Sequence, residues 1–210
     1  DILNEICPHG FVHYKQSIRI VELLENGKGL NLTWEVKDGI ANHSGQNKAK
    51  TLEGLVLKFA DRIAYINHDI DDSIRAGMLS ENQLPQRCVS ILGDTHGKRI
   101  NNMILSIIRE STEKPTIAME PDVENAMMRL RAFLTENVYL NEQAKREKEK
   151  VSEVLLRLYE YFVGNPKKVP CYVEGDDIHR CVCDFIAGMT DDYAIYKYKE
   201  LFLPHTKELV

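Results

Sequence analysis

At 210 residues, with 43% hydrophobic and 28% charged side chains, the chain has a globular composition and enough length for a substantial core. Its net charge of −5 excludes a surface built to hold nucleic acid by charge alone, which leaves nucleic acid a place only as a regulator. No apolar run is long enough to span a bilayer, and the five cysteines (Cys7, Cys88, Cys171, Cys181 and Cys183) are odd in number without a C-x-x-C pair, so a cytoplasmic chain with reduced thiols is expected and no membrane partner.

The chain opens at Asp1 and runs directly into ILNEI, which already has helical character, so it reads as a piece of something longer. A helix is expected over 13–25, where Ile18, Val21 and Leu24 recur at helical intervals before the Gly-rich NGKGLN. Asn31 or Thr33 caps a second helix through Asn42, and Thr51 opens a long third one to about Met78. Helices follow over 81–92, 96–111, 121–139, 141–163, 175–188 and 191–201. Their spacing predicts one all-α domain over 1–210. The best β-like piece is VPCYV, residues 169–173, beside two prolines. NEQAKREKEKVSE, residues 141–153, alternates charge without an apolar stripe and reads as a solvated helix held partly by i,i+4 pairs.

Ionisable chemistry concentrates in FADRIAYINHDIDD, residues 59–72, with four Asp, one His, one Arg and one Tyr. With Asp61 at zero and about 100° per residue, Asp72 falls near 20°, Tyr65 near 40°, Asp69 near 80°, Arg62 near 100° and His68 near 340°. Ile63, Ile66, Ile70 and Ile74 take the opposite side, between about 140° and 220°. Asn67 projects among apolar neighbours at about 240° and is expected to be a buried amide satisfied by another helix. An amphipathic helix showing its polar face to water explains the pattern simply. A solvated face usually takes Lys and Glu, however, whereas short carboxylates freeze fewer torsions when they hold a cation. Arg62 beside Tyr65 offers a phosphate clamp next to a ring that supports a sugar. Elsewhere, Lys98 and Arg99 in THGKR form a small basic cluster at a helix start, either an anion site or surface decoration. His43 reads as a helix-end residue, and His9, His96, His179 and His205 show no constellation around them.

The run TLEGLVLKFADRIAYINHDIDDSIRAGML, with HGFVHYKQSIRIVELLE, NLTWEVKDGIANHSG and MTDDYAI, resembles bacterial deoxyguanosine triphosphate triphosphohydrolases of the HD superfamily, in order and over nearly the whole chain. The resemblance implies an HD-domain-like helical bundle, here its C-terminal portion. It implies hydrolysis of a deoxynucleoside triphosphate (dGTP or a related dNTP) to deoxynucleoside and tripolyphosphate, dependent on a divalent metal such as Mg or Mn, in a homo-oligomer. It further implies that Asp61 is the last ligand of the H…HD…D metal set, that Arg62 contacts phosphate, and that Tyr65 packs at the sugar. Asp69 then receives the sugar 3′-hydroxyl, and His13 lies near the scissile phosphate as a catalytic histidine. His68 and Asp72 share the face as supporting residues. The earlier ligands of that set are absent from this chain, and His68-Asp69, downstream of Asp61 on the same helix, does not replace them. The alternatives are an inactive helical module for nucleotide binding or assembly, and an HD phosphohydrolase acting on another nucleotide.

Overall fold

The computed structural model describes residues 2–170 and 172–204, so Cys171 and His205 lie outside the described residues. Among the described residues there are ten α-helices and no strand. The fold is all-α, and the described residues of VPCYV form no strand; a short 3-10 turn, Pro166–Lys168, precedes them. The chain divides into two compact units, 17–145 and 1–16 with 146–210.

The 17–145 unit contains α3 (Trp34–Asn42), α4 (Leu52–Arg75), α5 (Gln86–Leu92), α6 (His96–Ser111) and α7 (Pro121–Leu134). Helix α4 starts where the Thr51 hydroxyl accepts from Gly54 N at 3.1 Å, and it ends in an αL glycine, Gly77. Its isoleucines 63, 66 and 70 are buried with Leu92, Met103, Met127, Leu130 and Leu134 in one cluster, as their spacing requires. The predicted helix 81–92 is broken by Pro85, which lacks the N–H to continue it; a 3-10 turn, Glu81–Gln83, precedes α5. Two other predicted helices end in π-helical turns, Ile20–Leu24 after α2 and Thr135–Tyr139 after α7.

The other unit holds α1 (Ile2–Ile6), the start of α2 (His13–Arg19), most of α8 (Glu142–Gly164), α9 (Ile178–Ala187) and α10 (Asp191–Phe202). Its core joins Leu3, Cys7, Leu158, Tyr159, Phe162, Val182, Cys183 and Ile186. Cys7, Cys88 and Cys183 are buried and Cys181 is half-buried. The charged stretch forms the start of α8, with Lys145–Glu142 and Lys150–Glu147 paired at 3.1 and 2.7 Å across i,i+3, and Glu153–Arg157 at 2.6 Å across i,i+4.

Helices α3 and α4 meet through glycine. A Cβ at Gly54 would lie 2.5 Å from Ala49 Cβ and 3.3 Å from Gly39 Cα, too close on both sides. Gly54→Ala is therefore expected to cost about 1–3 kcal/mol, read as a lower urea midpoint at unchanged slope. An undiminished midpoint would show that the crossing has slack.

Candidate functional site

Helix α4 presents the predicted stripe as its unburied face. Asp61, Tyr65, His68 and Asp72 are exposed, and Arg62 and Asp69 half-buried. The Asp61 carboxylate makes no hydrogen bond or ion pair with a described residue, nor does the Arg62 guanidinium. No ion pair joins Arg62 to Asp69 or Glu53. Asp72 pairs with Arg75 at 3.1 Å, one turn along. His68 borders an apolar recess of about 640 Å³ between α4 and α6, with Phe59, Ile63, Ile100 and Ile104.

Asp69 has a partner that sequence reasoning missed. Its Oδ2 accepts from the hydroxyl of Tyr139, the last residue of the π-turn after α7, and the Tyr139 and Tyr65 rings lie 6.4 Å apart. Burial, then the hydrogen bond to Asp69, pushes the Tyr139 phenol well above its ordinary range, so it remains a donor. Asp69 Oδ1 has no side-chain partner among the described residues, so one carboxylate oxygen remains for an incoming hydroxyl. No local pattern signals this pair, because its members are 70 residues apart.

A second polar seam runs beside the stripe. Asn67 is 0% exposed, donates to Ile63 O at 2.7 Å and accepts from Arg99 Nε at 2.9 Å, the interhelical partner expected for it. Arg99, 3% exposed, also reaches Asp71 Oδ1 at 3.5 Å. Burial lowers the Arg99 pKa, with Asp71 opposing that shift. On the same carboxylate, His96 Nδ1 lies 2.6 Å from Asp71 Oδ2, out of line for a hydrogen bond, and its ring is 5.7 Å from that of His68. Two sequence expectations are corrected here: Arg99 is no surface cation, and His96 does sit in a constellation, whereas Lys98, exposed and paired with Asp94 at 2.9 Å, fits the surface alternative. The amphipathic period of α6 masks this, because a buried arginine and an exposed one look alike in sequence. Likewise, His9 pairs with Asp177, and His179 Nδ1 meets Tyr159 Oη at 2.7 Å.

His13 belongs to the other unit. It opens α2 beside a recess of about 390 Å³ that Asn4, Glu5, Phe11, Val12 and Lys148 also line. One turn on, buried Gln16 donates to Asp184 Oδ1 at 2.8 Å, which ties the start of α2 to α9. Among the described residues no three His, Cys, Asp or Glu side chains gather as a metal site. Asp61 offers a single oxygen donor, which falls short of what a divalent ion needs, so these residues do not by themselves build a metal centre.

Residues 117–200 match the phosphohydrolase-associated domain. The chain is 52% identical over 209 residues to a deoxyguanosinetriphosphate triphosphohydrolase-like protein of Caldanaerobacter subterraneus subsp. tengcongensis, covering 97% of this chain and 62% of that relative. A protein of the same description from Clostridium perfringens is 42% identical, with 97% of this chain and 64% of the relative covered. Another from Geobacter metallireducens is 30% identical, with 99% and 69% covered. The chain thus spans under two thirds of the length of the first two relatives.

The Tyr139–Asp69 bond predicts how the phenol titrates. A raised pKa disfavours the phenolate in the fold, so the bond is intact through neutral pH, and its contribution to stability falls only as pH rises past the ordinary tyrosine value of 10.0. In a near-ultraviolet titration, Tyr139→Phe should leave the absorbance rise around that ordinary value unchanged. Loss of one tyrosine's worth of signal there would show that the phenol ionises freely.

Proposed function

The chain belongs to the deoxyguanosinetriphosphate triphosphohydrolase-like family, and from that premise we propose that it supplies the substrate-recognising wall of an enzyme that hydrolyses a deoxynucleoside triphosphate to the deoxynucleoside and tripolyphosphate. The observation that carries the reading is the Asp69–Tyr139 pair beside Tyr65, on the same face of α4 as Asp61 and Arg62. In the proposal the sugar sits against the Tyr65 ring, with its 3′-hydroxyl donating to the spare oxygen of Asp69. Such a carboxylate discriminates strongly, because a substrate lacking the hydroxyl leaves it unpaired. Arg62 holds phosphate through its planar fork, and among the described residues no carboxylate pairs with it, which leaves it available. His13 handles the proton at the leaving oxygen. His68 and Asp72 flank the stripe and keep its charge.

Water adds to the α-phosphorus, the bond from phosphorus to the bridging α,β-oxygen or to the 5′-oxygen must break, and release of intact tripolyphosphate requires the latter. Asp61 would help to hold the divalent ion of the proposal, Mg or Mn, with ligands from the part of the family's length that this chain does not span, and the ion would draw charge from the phosphorus and lower the pKa of a water. The proposal further places the enzyme in the cytoplasm as a homo-oligomer, with nucleic acid only as a regulator. The rival reading, an inactive helical module for binding or assembly, is favoured for the isolated chain by Asp61 standing without co-ligands.

The test uses this chain and a version extended to the relatives' full length, each incubated with the four deoxynucleoside triphosphates and Mn or Mg. Equal release of deoxynucleoside and tripolyphosphate by the extended protein is expected, with little or none from the short chain. Asp69→Asn should then lower kcat/KM about 10- to 100-fold for the deoxynucleotide and much less for its 3′-deoxy analogue. Orthophosphate or pyrophosphate as the product would overturn the reaction, and no product from either protein would favour the rival.

A further inference from the structure

The ionisable face of α4 extends one turn further back than its sequence pattern suggests. Lys58 projects at about 60° on the scale that puts Asp61 at zero, between Tyr65 and Arg62. It is 7% exposed, and its Nζ donates to the backbone carbonyl of Asn47 in the loop before α4. A lysine is rarely buried this far without a carboxylate, since a neutral carbonyl satisfies one donor and no charge. Among the described residues no carboxylate pairs with Lys58, Arg62 or Lys48. The chain's lysines find carboxylates readily elsewhere, as at Lys37–Glu22 and Lys114–Glu110. Burial first, then the like charges of Arg62 and Lys48, press its pKa downward. Lys58 is buried and Arg62 half-buried, so an anion stabilises them, and among the described residues no carboxylate pairs with either, Asp61 on the same face included.

We propose that Lys58, together with Arg62 and Lys48, receives the outer phosphates of a polyphosphate chain. This deepens the functional reading above and rests on its placement of the triphosphate along α4. Lys58 and Arg62 are four residues apart, about 6 Å along the helix axis, which spreads positive charge over the length of several linked phosphates rather than one. Arg62 presents a flat fork and Lys58 a point charge, so the pair can hold successive phosphates that rotate relative to one another.

The test is calorimetric titration of the 210-residue chain with orthophosphate, pyrophosphate and inorganic tripolyphosphate, without divalent metal. Affinity should rise along that series, and Lys58→Met, which keeps the apolar stem, should weaken tripolyphosphate binding at least tenfold. Amide NMR shifts in the native chain provide a reading that does not depend on the variant folding. Tripolyphosphate should move Lys48, Lys58 and Arg62 most. Shifts elsewhere or none, equal affinity for all three anions, or undiminished binding by a folded Lys58→Met would each overturn the proposal. Hydrolysis by the extended enzyme alongside Lys58-independent tripolyphosphate binding removes this inference and leaves the function. Lys58-dependent binding in a protein whose extended form hydrolyses no deoxynucleotide does the reverse.

Discussion

The junction of Arg99 with Asn67 and Asp71 is the contact on which the candidate site depends. Isoleucines 63, 66 and 70 bury one side of α4, but apolar packing is non-directional and tolerates some rotation of a helix about its axis. A buried guanidinium bonded to a fully buried amide does not, because turning the helix would strand a donor and an acceptor away from water. The seam at about 240° to 280° therefore sets where the stripe between about 340° and 100° must point. Asp69 meets Tyr139 only at that roll. In this sense the polar contact fixes the site's geometry, while the isoleucines supply most of the energy.

Charge is arranged along α4 as well as around it. Lys58 and Arg62 lie in its first half, and Asp69, Asp71 and Asp72 in its second. The helix dipole is met at the ends themselves, by Glu53 in the first turn and Arg75 in the last. The acidic end is offset locally, by Arg75 on Asp72 and by Arg99 on Asp71. The basic end has no such compensation from the described residues. The uncompensated end is where an anionic ligand gains most, which is why Lys58 and not the exposed lysines of α8 carries the polyphosphate proposal.

Much of the fold was legible because helical period is a local signal: α6 at His96–Ser111 falls on its predicted bounds, and α4 and α10 lie within a few residues of theirs. Departures occur where local pattern is silent. Pro85 divides a helix that its apolar spacing would continue, and the turn at Thr135–Tyr139 widens although nothing in TENVY announces it. The site divides in the same way. Asp61, Arg62, Tyr65 and Asp69 were visible because they share one helix face. Tyr139 was invisible because its partner lies 70 residues away, and Arg99 was misplaced because its burial depends on a neighbour's amide. Lys58 escaped because a lysine at the start of an amphipathic helix normally snorkels to water, and only its burial sets it apart.

Recognition and chemistry make different demands on a chain. Recognition of a deoxynucleotide needs a hydroxyl acceptor, a ring and cations held at fixed phase, and α4 with Tyr139 brings these together within the 17–145 unit. Activation of water by a metal needs several ligands converging on one point, and among the described residues no such group gathers around Asp61. In the proposed enzyme, specificity for the sugar and the phosphate tail is therefore written into this chain, while the power to hydrolyse depends on ligands brought to Asp61 from elsewhere in the family's length. Because hydroxyl and polyphosphate contacts need no metal, the proposal has substitutions at Asp69 and Lys58 act on binding directly, and a substitution at Asp61 act through an ion.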